Sequence, residues 1–102
     1  MRVSVIIPAF NGERTIGNTL ESLVAERDSE TEVVVIDDAS EDRTGRIAAE
    51  FDILYHRLTV RSGPSVARNR GARLAQGDIL LFIDADVMVQ PGWLNSIRSG
   101  FA

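Results

Sequence analysis

Short apolar runs alternate along this chain with segments that are apolar only at every third or fourth position. Val3-Ser4-Val5-Ile6-Ile7 is a β-branched run closed by Pro8, which predicts a strand. From about Glu13 to Arg27, residues Ile16, Leu20, Leu23 and Val24 fall at i, i+4, i+7 and i+8, one face of a helix. Val33–Ile36 is a second buried strand that ends in Asp37-Asp38. Ser40 is placed to cap a helix from about Glu41 to Phe51, with Glu41 and Asp42 favourable in its first turn. Ile53–Val60 is more polar and predicts an edge strand. Ser62-Gly63-Pro64 opens a third helix with Val66, Ala67, Leu74 and Ala75 on its inner side. Gly71 there predicts a close approach to another backbone, and Gly77 is expected to stop the helix. Ile79–Ile83 is the most hydrophobic strand and leads into Asp84-Ala85-Asp86. Pro91 starts a last helix carrying Leu94, Ile97 and Phe101, with Trp93 and Leu94 set to pack on the sheet.

The order βαβαβαβα, with continuous apolar strands, predicts a parallel sheet covered on both faces. Right-handed crossovers leave few topologies for it. Ligands of such sheets bind beyond the carboxyl ends of the strands. There the chain places Pro8-Ala9-Phe10-Asn11, Asp37-Asp38 and Asp84-Ala85-Asp86.

A length of 102 residues, 44% hydrophobic and 25% charged, predicts a single globular domain over 1–102. The absence of cysteine excludes disulfides and thiolate metal sites, and a single histidine, His56, excludes a histidine-cluster zinc site. A net charge of −4 argues against a nucleic-acid partner. All the basic residues are arginine, whose planar fork suits phosphate. The run Val3–Ile7 is too short for a signal core or a membrane span, so the expected location is the cytoplasm.

The candidate chemistry is carboxylate chemistry. Asp84 and Asp86 concentrate negative charge after a buried strand, where a hard divalent cation would offset their desolvation. Taken alone, the pair reads rather as a solvated loop, since D-x-D occurs often by chance. Asp37-Asp38 repeats the pattern; one of them can accept hydrogen bonds from a base or ribose, or form an Asx turn. Phe10 can pack on a nucleobase face, although composition alone makes it a packing residue. Arg68 or Arg70 can reach a diphosphate or lie on a solvated helix face. Neither G-x-G-x-x-G nor a Walker A loop is present, which disfavours classical dinucleotide and P-loop chemistry.

Together these segments resemble the nucleotide-sugar-binding half of a family 2, GT-A-type glycosyltransferase. Val3–Asn11 resembles the opening strand and first donor loop. Val34–Thr44 resembles the second signature, with Ala39 in place of the usual Gly, and Gly63–Gly71 resembles the third. Asp84-Ala85-Asp86 matches the D-x-D motif, followed by Pro91-Gly92-Trp93-Leu94. The resemblance implies a Rossmann-like α/β half-domain with strand order 3-2-1-4 and helices on both faces. It implies that Pro8, Ala9, Phe10 and Asn11 line the nucleoside pocket and that Asp38 hydrogen-bonds the base, uracil in the first instance. By the same resemblance Asp84 and Ala85 touch the donor, Arg68 is a donor-site residue, and Asp86 with Asp84 ligates Mn²⁺ or Mg²⁺. The implied activity is inverting transfer from a UDP-sugar, with a carboxylate general base.

Gly12, where an acidic residue is frequent, is a further departure from the pattern. No residue of this chain is expected to be the base; it is expected to lie, with the acceptor half, outside these residues. Strand order 3-2-1-4 leaves Ile79–Ile83 as an apolar edge, which predicts a homodimer through it. Two other readings compete. Leu80-Leu81-Phe82-Ile83-Asp84-Ala85-Asp86-Val87 also fits a haloacid-dehalogenase-type phosphotransferase, with Asp84 as nucleophile and Asp86 as acid/base. The chain can also be a donor-binding or assembling module without turnover.

Overall fold

In the computed structural model, which describes residues 1–101, the central strand is the first one. The elements are β1 (Val3–Ala9), α1 (Ile16–Glu26), β2 (Thr31–Asp37), α2 (Thr44–Ala48), β3 (Leu54–Arg57), α3 (Pro64–Leu74), β4 (Ile79–Phe82) and α4 (Trp93–Ser99). All pairings are parallel, in the order β3-β2-β1-β4, as expected. Val3 lies opposite Thr31 on one side and Ile79 on the other.

β1 and β2 are apolar on both faces because helices cover both. Val3, Val5, Ile7, Val33 and Val35 face α1, α2 and α4, where Ile16, Leu20, Leu23, Ala48 and Leu94 are buried with them. Ile6, Val34 and Ile36 face α3, which contributes Ala67. That face is thinly covered. Leu80 and Phe82 share it by register with Ser4 and Ile6, yet remain 38% and 46% exposed. One helix lies over β1 and β2 and leaves β4 bare.

Several boundaries differ from the sequence expectation for identifiable reasons. Pro8 lies inside β1 rather than closing it. Ile6 bonds toward β4 and Ala9 toward β2, so Pro8's missing N–H faces the β4 side, where pairing has ended at Ile6 and Phe82. The expected helix to Phe51 stops at Ala48, and Glu50 and Phe51 continue as i→i−3 turns. Ser40 does not cap α2; its hydroxyl accepts the Asn11 N–H at 2.9 Å. Asp42 does the local work, accepting the Thr44 N–H at 2.9 Å. Gly77 does not terminate α3, which ends at Leu74; it lies where a Cβ would meet the Ser4 backbone nitrogen at 2.7 Å. Val66, expected on the inner side of α3, is exposed, and Phe101, expected on the last helix, lies beyond its end at Ser99 and is exposed. Among the described residues no helix is long and apolar enough to cross a membrane.

Candidate functional site

The carboxyl ends of β1, β2 and β4 open into a cleft of about 160 Å³. Pro8, Ala9, Phe10, Asp38, Arg68, Asp84 and Ala85 line it, joined by Arg61, Pro64 and Ala67. Segments that are far apart in sequence meet because parallel strands all deliver their carboxyl ends to one side of the sheet.

Asp38 is the buried anchor of the cleft, only 3% exposed. A carboxylate removed from water needs donors. Its Oδ1 accepts the Ser62 N–H at 2.7 Å and its Oδ2 accepts the Gly63 N–H at 2.9 Å. The Arg61 Nε lies 3.4 Å from Oδ2. Asp38 thereby draws the start of α3 onto the end of β2 and brings Arg68 to the cleft. Arg70, the other expected candidate, points elsewhere, with its Nη1 3.1 Å from His56 Nε2.

Asp37 is fully buried and holds the turn before the site rather than the site itself. It accepts the Ser40 N–H at 2.9 Å and the Tyr55 hydroxyl at 2.6 Å, with Arg57 at 3.4 Å. Burial pushes the Tyr55 hydroxyl up to about 12, and the bond to Asp37 adds to the shift, so Tyr55 remains a donor.

The loops after β1 and β2 are laced together. Asn11, at φ 48, accepts the Glu41 N–H at 2.9 Å through its Oδ1. Gly12 donates its N–H to Thr44 Oγ1 at 2.8 Å, and Glu13 donates to Asp42 Oδ2 at 3.1 Å. Desolvation opposes the charge on Asp42, but bonds from Thr44 and the Glu13 N–H outweigh it and lower its pKa. Asn11 is therefore a brace beside the cleft and is not among its lining residues. A Cβ at Gly12 would meet Ala85 Cβ at 3.7 Å, an ordinary contact, so the departure there leaves the loop undistorted.

The turn after β4 hangs on α1. Thr19 Oγ1 donates to the Ala85 carbonyl at 2.9 Å, and the Val89 N–H donates to Ser22 Oγ at 3.1 Å. Asp84 and Asp86 are exposed, Asp84 on the cleft and Asp86 just outside its lining. Among the described residues the ion pairs involve Asp28, Asp37, Asp38 and Asp52, so neither Asp84 nor Asp86 is paired. Nor does any trio of His, Asp or Glu gather among those residues to enclose a metal. Two hard carboxylate oxygens on a braced turn fit a Mg²⁺- or Mn²⁺-type ion that takes its remaining ligands from phosphate and water.

Arg61, Pro64 and Ala67 were not legible as lining residues. Pro64 reads as a helix start and Ala67 as core, which both also are. Arg61 has no local signal, because Phe10 and Asp38, its neighbours, lie far away in sequence.

The sheet of order 3-2-1-4, with its cleft at the carboxyl ends, is shared with solved glycosyltransferases of the GT-A fold. The sequence profile of glycosyl transferase family 2 matches residues 4–99. The chain belongs to that family. It is 41% identical over 93 residues to the uncharacterized glycosyltransferase YfnE of Bacillus subtilis, covering 86% of this chain and 24% of that protein. The structure of S. aureus TarS 1–349 in complex with UDP-GlcNAc superposes with a TM-score of 0.91 at 33% identity, covering 97% of this chain and 30% of TarS 1–349. Mycobacterium tuberculosis glucosyl-3-phosphoglycerate synthase, solved with Mn²⁺, UDP and glucosyl-3-phosphoglycerate, gives 0.84 at 28% identity, covering 98% of this chain and 39% of the synthase. The chain thus spans less than two fifths of the length of each of these three chains. Family membership displaces the phosphotransferase reading of Asp84 and Asp86, which also lacks a lysine anywhere in the chain.

Proposed function

We propose that this domain holds a nucleoside-diphosphate sugar, a UDP-sugar in the first instance, for inverting glycosyl transfer. The observation that carries the reading is the convergence of Phe10, Asp38, Arg68 and Asp84 on one cleft, with Asp86 two residues further along the same exposed turn. The base packs on Phe10 and donates an N–H to Asp38, whose buried carboxylate is already fixed by two backbone donors. Pro8 and Ala9 form the floor, Asn11 holds the loop that shapes it, and Arg68 faces the diphosphate. Asp84 meets the ribose or the cation, with Ala85 beside it, and Asp86 with Asp84 holds Mn²⁺ or Mg²⁺. Such an ion supplies positive charge where the leaving diphosphate becomes more negative. The bound UDP-GlcNAc of TarS and the Mn²⁺ and UDP of the mycobacterial synthase support this reading.

Calorimetry of UDP binding, with and without Mn²⁺, tests it. The wild type is expected to bind UDP in a Mn²⁺-dependent way, and Asp86→Asn to bind at least about tenfold more weakly, as for loss of one charge-assisted contact. Folded protein that binds no UDP removes the donor site, and binding indifferent to Mn²⁺ and to the substitution removes the metal. Since no residue here is assigned as general base, donor binding without turnover is the narrower second reading. Release of UDP from a UDP-sugar separates the two. We further place a second copy of this chain along the outer edge of β4, where Leu80 and Phe82 are bare.

A further inference from the structure

Arg61 is a lining residue of the cleft that donor binding leaves without a role. Its guanidinium carbon lies 3.5 Å from the centroid of the Phe10 ring. Its Nε lies 3.4 Å from Asp38 Oδ2. A single planar group that carries N–H donors therefore covers an aromatic face and adjoins a buried carboxylate at the same time. Those are the two contacts that the donor reading gives to the nucleobase. Two planar groups cannot stack on one ring face, so a base on that face of Phe10 requires the guanidinium to leave it.

Resting on that reading, we propose that Arg61 stands in for the nucleobase in the donor-free domain and swings out to admit it. The surroundings permit the exchange. The Arg61 side chain is 55% exposed, so a displaced guanidinium returns to water without crossing packed protein. Asp38 keeps its bonds from the Ser62 and Gly63 N–H groups when Arg61 leaves, so it is never without donors. Until then the guanidinium shields the Phe10 face and balances the carboxylate. Donor affinity is reduced by the fraction of molecules in which Arg61 is in place, which for an exposed cation–π contact corresponds to about two- to fivefold.

Uridine is the probe, because it carries no phosphate and its binding does not register the charge that a substitution removes near a diphosphate. By NMR titration, Arg61→Ala is expected to bind uridine about two- to fivefold tighter than the wild type. In the wild type, with the guanidinium carbon over the Phe10 ring, the neighbouring Arg61 side-chain protons are expected to resonate upfield, and added uridine is expected to return them to ordinary positions. Uridine binding by Arg61→Ala that is equal to or weaker than that of the wild type overturns the proposal, as do Arg61 resonances that uridine leaves unmoved. If neither protein binds uridine or UDP, the donor-site reading itself fails and the inference falls with it.

Discussion

Single residues in the two loops beyond β1 and β2 carry backbone conformations that their neighbours impose. Asn11 and Ala39 have positive φ, 48° and 58°. Asn tolerates that region, and its side chain uses it to reach the Glu41 N–H. Ala39 has no such compensation. Ala39→Gly is therefore expected to stabilise the domain by about 0.5–1 kcal/mol, after the greater freedom of an unfolded Gly is set against the relieved strain. Thermal unfolding checks it as a rise of a few degrees; an unchanged or lower midpoint would show that the turn is unstrained. The residue scale is also where the sequence was hardest to read. Asp38 stands out at a strand end, but its donors, Ser62 and Gly63, come from beyond β3, at the start of the crossover that carries α3. Ser40 looked like a helix cap because its true partner, the Asn11 N–H, is brought near only by the pairing of β1 with β2.

At the scale of elements, every strand and helix was legible, the central strands as continuous apolar runs, α1 by its 3.6-residue spacing, and the shorter helices by cap and proline signals. The ends were less legible, since they depend on which neighbour a backbone group faces, as at Pro8. Gly71 shows how closely α3 sits on the sheet. A Cβ there would lie 2.4 Å from Ile6 Cγ2 and 3.3 Å from Ile36 Cγ1, so the close approach is to side chains rather than to backbone. Ile6 is fully buried and has no room to retreat. Gly71→Ala is expected to destabilise by about 1–2 kcal/mol, because overpacking exceeds the gain in helix propensity. A denaturant midpoint that rises instead would mean that α3 shifts outward freely. A second tie joins α4 to the turn before β2, where Arg98 pairs with Asp28 and donates to the Glu30 carbonyl at 3.0 Å. The bond from Arg98 lowers the Asp28 pKa from an ordinary 3.8 to about 2. A depressed carboxylate stabilises the fold above its unfolded pKa and loses that contribution as pH falls through the folded value. Wild type and Asp28→Asn should therefore differ in thermal midpoint by only about a degree or two at pH 6, the pair being half exposed, and converge as pH falls from 4 toward 2. A gap that persists at pH 2 would assign the effect to something other than this charge.

The whole molecule is a sheet dressed unevenly. Among the described residues three helices crowd one face, one covers part of the other, and β4 has a neighbour only in β1. A bare apolar edge beside bare Leu80 and Phe82 favours pairing of two chains. Sedimentation at tens of micromolar should show a dimer that Phe82→Asp reduces to monomer, and a wild-type monomer under those conditions removes the pairing. The same arrangement fixes an order of events in time. β1 and β2 are near in sequence and pair over seven residues, whereas β4 reaches β1 only after two further crossovers and pairs over four. Contacts that close long loops form late, and elements with few partners open early. The half of the cleft built by Phe10 and Asp38 is thus assembled first as the chain folds. The half that bears Asp84 and Asp86 is the last to arrive and the first to leave.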